Sequence, residues 1–307
     1  MSRLRAVQPI FTTRLFRPLH RELMALLTGL EPADWELSTG AGGWTVLQVA
    51  AHLLHGDLRE LSAERVIHQT SKPGGPGFAE LVALIDQDNA RGVEFLTTLG
   101  PCLITDLLGF AGPRVAHLFQ SLPPDAPAAT NVAWAGEDVS ANWMDIGREF
   151  TERWHHQMQI RDAIGAPGLT GRRWIEPLLR LSVLALRRAY DGVEADTGTS
   201  LMLRVRGDWT HAWTLVRGDS NWELFDGVAA HPATSVTMDV QDAWRSLFNF
   251  RSDNDTLALV EVVGDRRLAA PILLARSVMI PEAIENLTVT PRGAPFQVVA
   301  VACDPSQ

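Results

Sequence analysis

Apolar residues recur at three- and four-residue spacing through most of the first half of the chain, which predicts a series of amphipathic helices. They run from about Thr12 to Leu27, Val46 to Gln69, Gly77 to Thr98, Cys102 to Leu122 and Ser140 to Ile164. Gly74-Gly75-Pro76, Gly100-Pro101 and Pro123-Pro124 fall between several of them, where permissive torsions and missing amide donors break helices. A bundle of four or five helices follows, closed by Gly165-Ala166-Pro167-Gly168 as a linker. After a further amphipathic helix from Arg173 to Tyr190 the period changes. Leu201 to Arg206, His211 to Arg217 and Asn221 to Phe225 read as short strands joined at Gly207-Asp208 and Gly218-Asp219, which are good turn dipeptides. Ser235 to Val240 reads as a fourth strand and Leu257 to Val263 as another, with helices from Asp242 to Phe250 and from Arg266 to Val278. The expected architecture has two domains: residues 1–168 as an all-α bundle, and residues 169–307 as an α+β unit with a mostly antiparallel sheet.

Composition narrows the partners. With 307 residues, 46% of them apolar and 21% charged, the chain has the make-up of a soluble globular protein with enough material for two cores. A formal charge of -9 and no cluster of Lys and Arg argue against nucleic acid, whose phosphates demand one. The basic start, Met1-Ser2-Arg3-Leu4-Arg5, is not followed by the apolar core and small-residue cleavage site of a signal peptide. The most apolar later run, Leu268 to Ile280, is too short to cross a bilayer and contains Arg276, so no membrane segment is expected. Cys102 and Cys303 are too few and too far apart for a disulfide framework or a thiolate metal site, and a reducing cytoplasm is the simplest location.

Three residues carry the candidate chemistry. Glu152 and His156 are four apart, so they stand one turn above each other on one helix face and can share a cation. His52, inside Gly43-Trp44-Thr45-Val46-Leu47-Gln48-Val49-Ala50-Ala51-His52-Leu53, can supply a third ligand from another helix. Two imidazoles and one carboxylate suit zinc or another divalent transition metal and leave a coordination position open. On a helical wheel, however, His52 points away from the apolar arc of Val46, Leu47, Ala50, Leu54, Leu58 and Leu61. Glu152 and His156 lie opposite Trp143, Ile146, Phe150 and Trp154. Spacing alone is therefore equally the pattern of solvated polar stripes, and only a second domain packed over the bundle would turn them into a cleft.

Gly43-Trp44-Thr45, Val49-Ala50-Ala51-His52-Leu53 and Arg148-Glu149-Phe150-Thr151-Glu152-Arg153-Trp154-His155-His156 resemble the mycothiol-dependent maleylpyruvate isomerase family, within the DinB-like metal-binding four-helix bundles. The resemblance continues more weakly through Asp242-Ala243-Trp244-Arg245 and Gly264-Asp265-Arg266-Arg267-Leu268-Ala269, which look like that family's sterol-carrier-like C-terminal domain. It implies His52, Glu152 and His156 as metal ligands and mycothiol as thiol cosubstrate. Zinc, nickel, iron and manganese all remain open. Adjacent His155 is an alternative to His156 only if the helix rotates by about 100°, and His55 reads as a polar-face residue or a donor behind the ligands. Where the family often carries a Gly-Arg pair this chain has Phe250-Arg251, which makes Arg251 the candidate binder of a substrate anion. Arg206, Arg217 and Arg245 are other candidates for that role, and Trp134, Trp143 and Trp154 for pocket walls or core.

An open position on such a cation favours a bound thiolate over a thiol. The expected partners are accordingly a small thiol and an electrophilic small molecule, in an isomerase or a mycothiol S-transferase. A metal-containing protein that binds a small molecule without transforming it is the non-enzymatic alternative. No Gly-x-Ser-x-Gly elbow and no phosphate-loop Lys-Ser/Thr follow from the sequence.

Overall fold

The computed structural model of the chain describes residues 4–62, 78–250 and 259–279. Five long helices make the first half: α1 (Phe16–Thr28), α2 (Val46–Leu61), α3 (Phe78–Thr97), α4 (Gly100–Ser121) and α5 (Asn142–Ala163). α2 lies centrally and touches α3, α4 and α5, while α1 closes against α4 and α5. The start of α2 is set by a capping box. Gln48 N–H donates to Thr45 Oγ1 at 3.3 Å, and Thr45 N–H donates to Gln48 Oε1 at 2.9 Å, satisfying amides that the helix leaves unpaired. The break expected at Gly100-Pro101 falls slightly earlier. Pro101 sits in the first turn of α4, where a missing N–H costs nothing. No single helix among the described residues is long and apolar enough to cross a membrane; α3 and α4 reach that hydropathy only together, across a bend of 116°.

The second half begins with α6 (Arg172–Ser182) and α7 (Ala185–Ala189), where one continuous helix was expected. They part at Val183–Leu184, where Leu184 N–H bonds Leu181 O in a tighter turn. Five strands follow, β2 (Ser200–Arg206), β3 (His211–Arg217), β4 (Trp222–Asp226), β5 (Thr234–Asp239) and β6 (Glu261–Gly264), with α8 (Val240–Leu247) and α9 (Arg266–Leu274) packed on the sheet. Their edge gains a member that the sequence pattern did not suggest: β1 (Arg5–Ala6), from the other end of the chain, pairs with β4. The order is β1-β4-β3-β2-β5-β6, and every pairing is antiparallel except β2 with β5. The mostly antiparallel expectation holds. The single parallel pair arises because β3 and β4 carry the chain out along one side before β5 returns to the other side of β2.

Two apolar clusters form the core, and the second joins the two halves. One lies inside the bundle between α1, α2 and α4, around Leu23, Val49, Leu54, Ile104 and Leu108. The other runs without interruption from Phe16, Phe119, Phe150 and Trp154 through Trp174 and Leu178 to Trp213, Trp244 and Phe248. Trp154 stands at its centre, fully buried. Its ring meets Trp244 edge-on with centroids 5.0 Å apart, and its indole N–H donates to Leu169 O at 3.0 Å. The side chain of α5 therefore supplies the sheet domain with core. Trp154→Ala should lower the unfolding free energy by about 3–5 kcal/mol, measured by urea denaturation, whereas Leu58→Ala, at a partly exposed position, should cost much less.

Candidate metal centre

α5 is buried on almost every side. Its apolar arc enters the shared core, and its opposite face, bearing Glu149, Glu152, Arg153 and His156, turns toward α2 and the polar stripe of His52, Asp57 and Glu60. The two stripes that the wheel left undecided thus face each other. His52 Nε2 is 3.5 Å from Glu152 Oε1, and His156 Nε2 is 3.0 Å from the same oxygen. The three donor atoms all lie within 4.8 Å of one another. Donors around a tetrahedral zinc ion, at bonds of about 2.0–2.2 Å, stand about 3.3 Å apart, so this set fits such an ion with small adjustments.

Electrostatics point the same way. Burial and the neighbouring His156 lower the pKa of His52, which keeps its ring neutral and able to ligate. Burial opposes the charge on Glu152, but His156 and His52 outweigh it and hold the carboxyl well below its usual range. The ring edge of His52 meets His156 with centroids 4.5 Å apart, Trp44 covers its other side at 5.1 Å, and His52 Nδ1 is buried without a hydrogen-bond partner. His156 is oriented from behind by Gln159, whose Oε1 lies 2.7 Å from Nδ1. Two ring nitrogens converge on one carboxylate oxygen, so each must either donate a hydrogen to it or share a cation with it.

The triad lies in a cleft of about 570 Å³. Its floor is made by α2 and α5, one wall by Gly40–Gly42, Trp44 and Trp134, and the far wall by Phe248, Asn249 and Ser277 to Met279 from the second half. On α2, His52, Gly56 and Glu60 follow one another at four-residue spacing, so the side-chain-free Gly56 leaves a trough between the triad and Glu60. Beyond it four carboxylates meet two guanidiniums. Arg148 bonds Asp145 at 2.9 Å and also Glu149, while Arg153 bonds Asp57 at 2.7 Å and the same Glu149. Desolvation and the nearby Glu149 push Glu60 up to about 7, while Glu149, despite burial, is drawn down to about 2 by both arginines.

The remaining sequence candidates distribute unevenly. His156, and not His155, joins the donor cluster: the ring of His155 packs between Phe248 at 5.2 Å and Phe250 at 5.1 Å, with its Nε2 3.1 Å from Gln159 Nε2. His55 turns away from the triad toward Asp88, and its ring occupies the space beside Gly92 on α3. Arg251 and Cys303 lie outside the described residues. Arg206 pairs with Glu261 at 2.9 Å, Arg245 covers Trp244, and neither they nor Arg217 borders the cleft. Among the described residues the arginines that do are Arg59, Arg148 and Arg153, and the sequence reading missed all three. For Arg148 and Arg153 the alternation with Asp145, Glu149 and Glu152 on the stripe of α5 was the available signal; Arg59 lies on α2. Trp134 walls the cleft, Trp154 is core, and Trp143 packs against the core from a partly buried position.

Fold and site together define a helical bundle, joined to a mixed-sheet domain, with a candidate two-histidine, one-carboxylate cation site between them. Residues 16–161, most of the helical half of the chain, match the family described as mycothiol maleylpyruvate isomerase N-terminal domain. Among solved structures, a histidine-to-alanine mutant of the mycothiol-dependent maleylpyruvate isomerase is 13% identical, with a TM-score of 0.50 over 81% of this chain and 90% of that one. A second crystal structure of the mycothiol-dependent maleylpyruvate isomerase is 14% identical, with a TM-score of 0.48 over 76% and 86%. The first of these likenesses extends the shared fold beyond the bundle into the sheet. No curated protein matches the chain significantly.

The Glu60 proton has a measurable consequence. The folded protein holds it more tightly than the unfolded chain, so the associated stability is complete below the ordinary glutamate range and is lost as pH rises through about 7. Glu60→Gln, which has no such proton to lose, should melt above the parent at about pH 8 and together with it near about pH 4. Thermal melts across that range check this, and a difference independent of pH would remove the proton from Glu60.

Proposed function

We propose that the chain is a metal-dependent enzyme that uses a low-molecular-weight thiol, mycothiol, to isomerise or conjugate an electrophilic small molecule in the cytoplasm. The observation that supports it best is the meeting of His52, Glu152 and His156 on the floor of a cleft, in a bundle that matches a mycothiol maleylpyruvate isomerase domain family. His52, Glu152 and His156 would hold the cation, with zinc favoured by a tetrahedral donor set of nitrogen and oxygen and with nickel, iron or manganese accepting the same ligands. When bound, the cation would favour the thiolate form of a cosubstrate near neutral pH.

The chain's own groups supply the rest. Trp44 and Trp134 restrict water on one side of the triad, and Phe248 with Val278 and Met279 does so on the other. Cys102 is exposed and away from the cleft, so it is not placed to attack a substrate held there. Glu60, with a proton exchangeable near neutrality, is suited to give or take one at the end of the trough. A thiolate that adds across a conjugated double bond makes a carbon–sulfur bond and leaves a carbon–carbon single bond free to rotate. Expulsion of the same sulfur restores the double bond in the other geometry and regenerates the thiol. If the sulfur instead stays or displaces a leaving group, the product is a thioether. Arg251 remains the candidate for the substrate's anionic group.

Metal analysis of the purified protein beside His52→Ala and His156→Ala tests the site. Stoichiometric metal in the parent and its loss in both variants is expected, and unchanged content would eliminate the ligand set. Product analysis then separates the reactions: a thiol recovered after each turnover indicates isomerisation, and an accumulating thioether indicates transfer.

A further inference from the structure

We infer that Gln159 is a positioning residue that decides which ring nitrogen of His156 carries hydrogen, and so opens or closes the ligand position on that histidine. This rests on the metal site proposed above. Gln159 is buried on α5, three residues after His156 and four after His155, and its amide reaches both. Its oxygen lies 2.7 Å from His156 Nδ1 and its nitrogen 3.1 Å from His155 Nε2. An amide oxygen only accepts, so His156 must present Nδ1–H to it. A neutral imidazole has one such hydrogen. His156 Nε2 is then a bare lone pair directed at the space it shares with Glu152 and His52.

The reversed amide gives the opposite result. Its NH₂ group would face Nδ1, the hydrogen would move to Nε2, and Nε2–H would donate to Glu152 across the 3.0 Å gap, occupying the ligand position. His155 completes both arrangements. In the first its Nε2 accepts from the amide NH₂; in the second Nε2–H donates to the amide oxygen. His155 Nδ1, buried with no hydrogen-bond partner, does not choose between them; the Nε2–H bond to Glu152 adds to the second form, and a cation in its place would favour the first. The relay from His155 through Gln159 to His156 therefore has two self-consistent states with both hydrogen bonds intact, one able to ligate and one closed. The rings of Phe248 and Phe250 fix His155 in place, so the sheet domain bears on the proton arrangement of a residue in the bundle. Removing the acceptor at 159 would leave His156 Nδ1–H buried and unpaired whenever Nε2 is free to ligate.

The test is zinc affinity of the full chain, measured by competition with a chromophoric chelator, for the parent, His52→Ala, Gln159→Leu and Gln159→Glu. Gln159→Leu should bind zinc about ten- to a hundredfold more weakly than the parent. Gln159→Glu, which keeps an acceptor for Nδ1–H, should recover most of that loss. Gln159→Met replaces the leucine variant if the latter does not fold. Parental affinity in Gln159→Leu overturns the inference, and so does a glutamate variant as weak as the leucine one, which would mark Gln159 as packing alone. If the parent binds no more zinc than His52→Ala, the metal site itself fails and this inference with it. If the parent binds zinc, His52→Ala does not and Gln159→Leu matches the parent, only the role of Gln159 fails.

Discussion

Burial of α5 on both its faces is the constraint on which the molecule turns. A helix that carries Asp145, Arg148, Glu149, Glu152, Arg153 and His156 on one face would ordinarily leave that face in water, because an unpaired buried charge costs several kcal/mol. Here the opposite face is needed by the second half, whose core closes around Phe150 and Trp154. The charged face is in turn closed over by α2 and roofed by Phe248 and its neighbours. Every charge on it must then find a partner inside the protein. Most do so in arginine–carboxylate pairs. Glu152 and His156 instead meet His52 of α2, in a group that could hold a cation.

The same constraint explains why fold and site cannot be separated. The trough between the triad and Glu60 exists because Gly56 contributes no side chain on the floor, and because the sheet domain supplies a wall without filling the space. His155 shows the coupling at one residue. Its ring is held by two phenylalanines of the second half, its nitrogen touches Gln159, and Gln159 orients a candidate ligand. The bundle carries the donor atoms, but their surroundings come from both halves of the chain.

Local sequence signals were reliable where local forces decide. The turn at Gly207-Asp208 and the glutamate–histidine spacing on α5 are fixed within a few residues, and both were legible without a structure. Errors arose where distant segments meet. Arg5 and Ala6 pair with β4 across more than two hundred residues, and nothing in so short a stretch announces a strand. Arg206, Arg217 and Arg245 looked suited to a substrate anion by type alone, yet the strand registers and the course of α8 carry them away from the cleft. Arg148 and Arg153 reach it because they share a helical stripe with the triad.

By itself, then, the sequence determined which residues share a face: His156 above Glu152 on one helix, His52 and Glu60 along another, and Trp154 opposite the charged stripe. Periodicity is a property of the backbone, and it follows from spacing. Whether those polar stripes lay in water or met across a closed cleft was decided only by the tertiary structure. Desolvation, ion pairing and donor convergence all depend on what another part of the chain places within a few ångströms, and helical spacing contains no record of that.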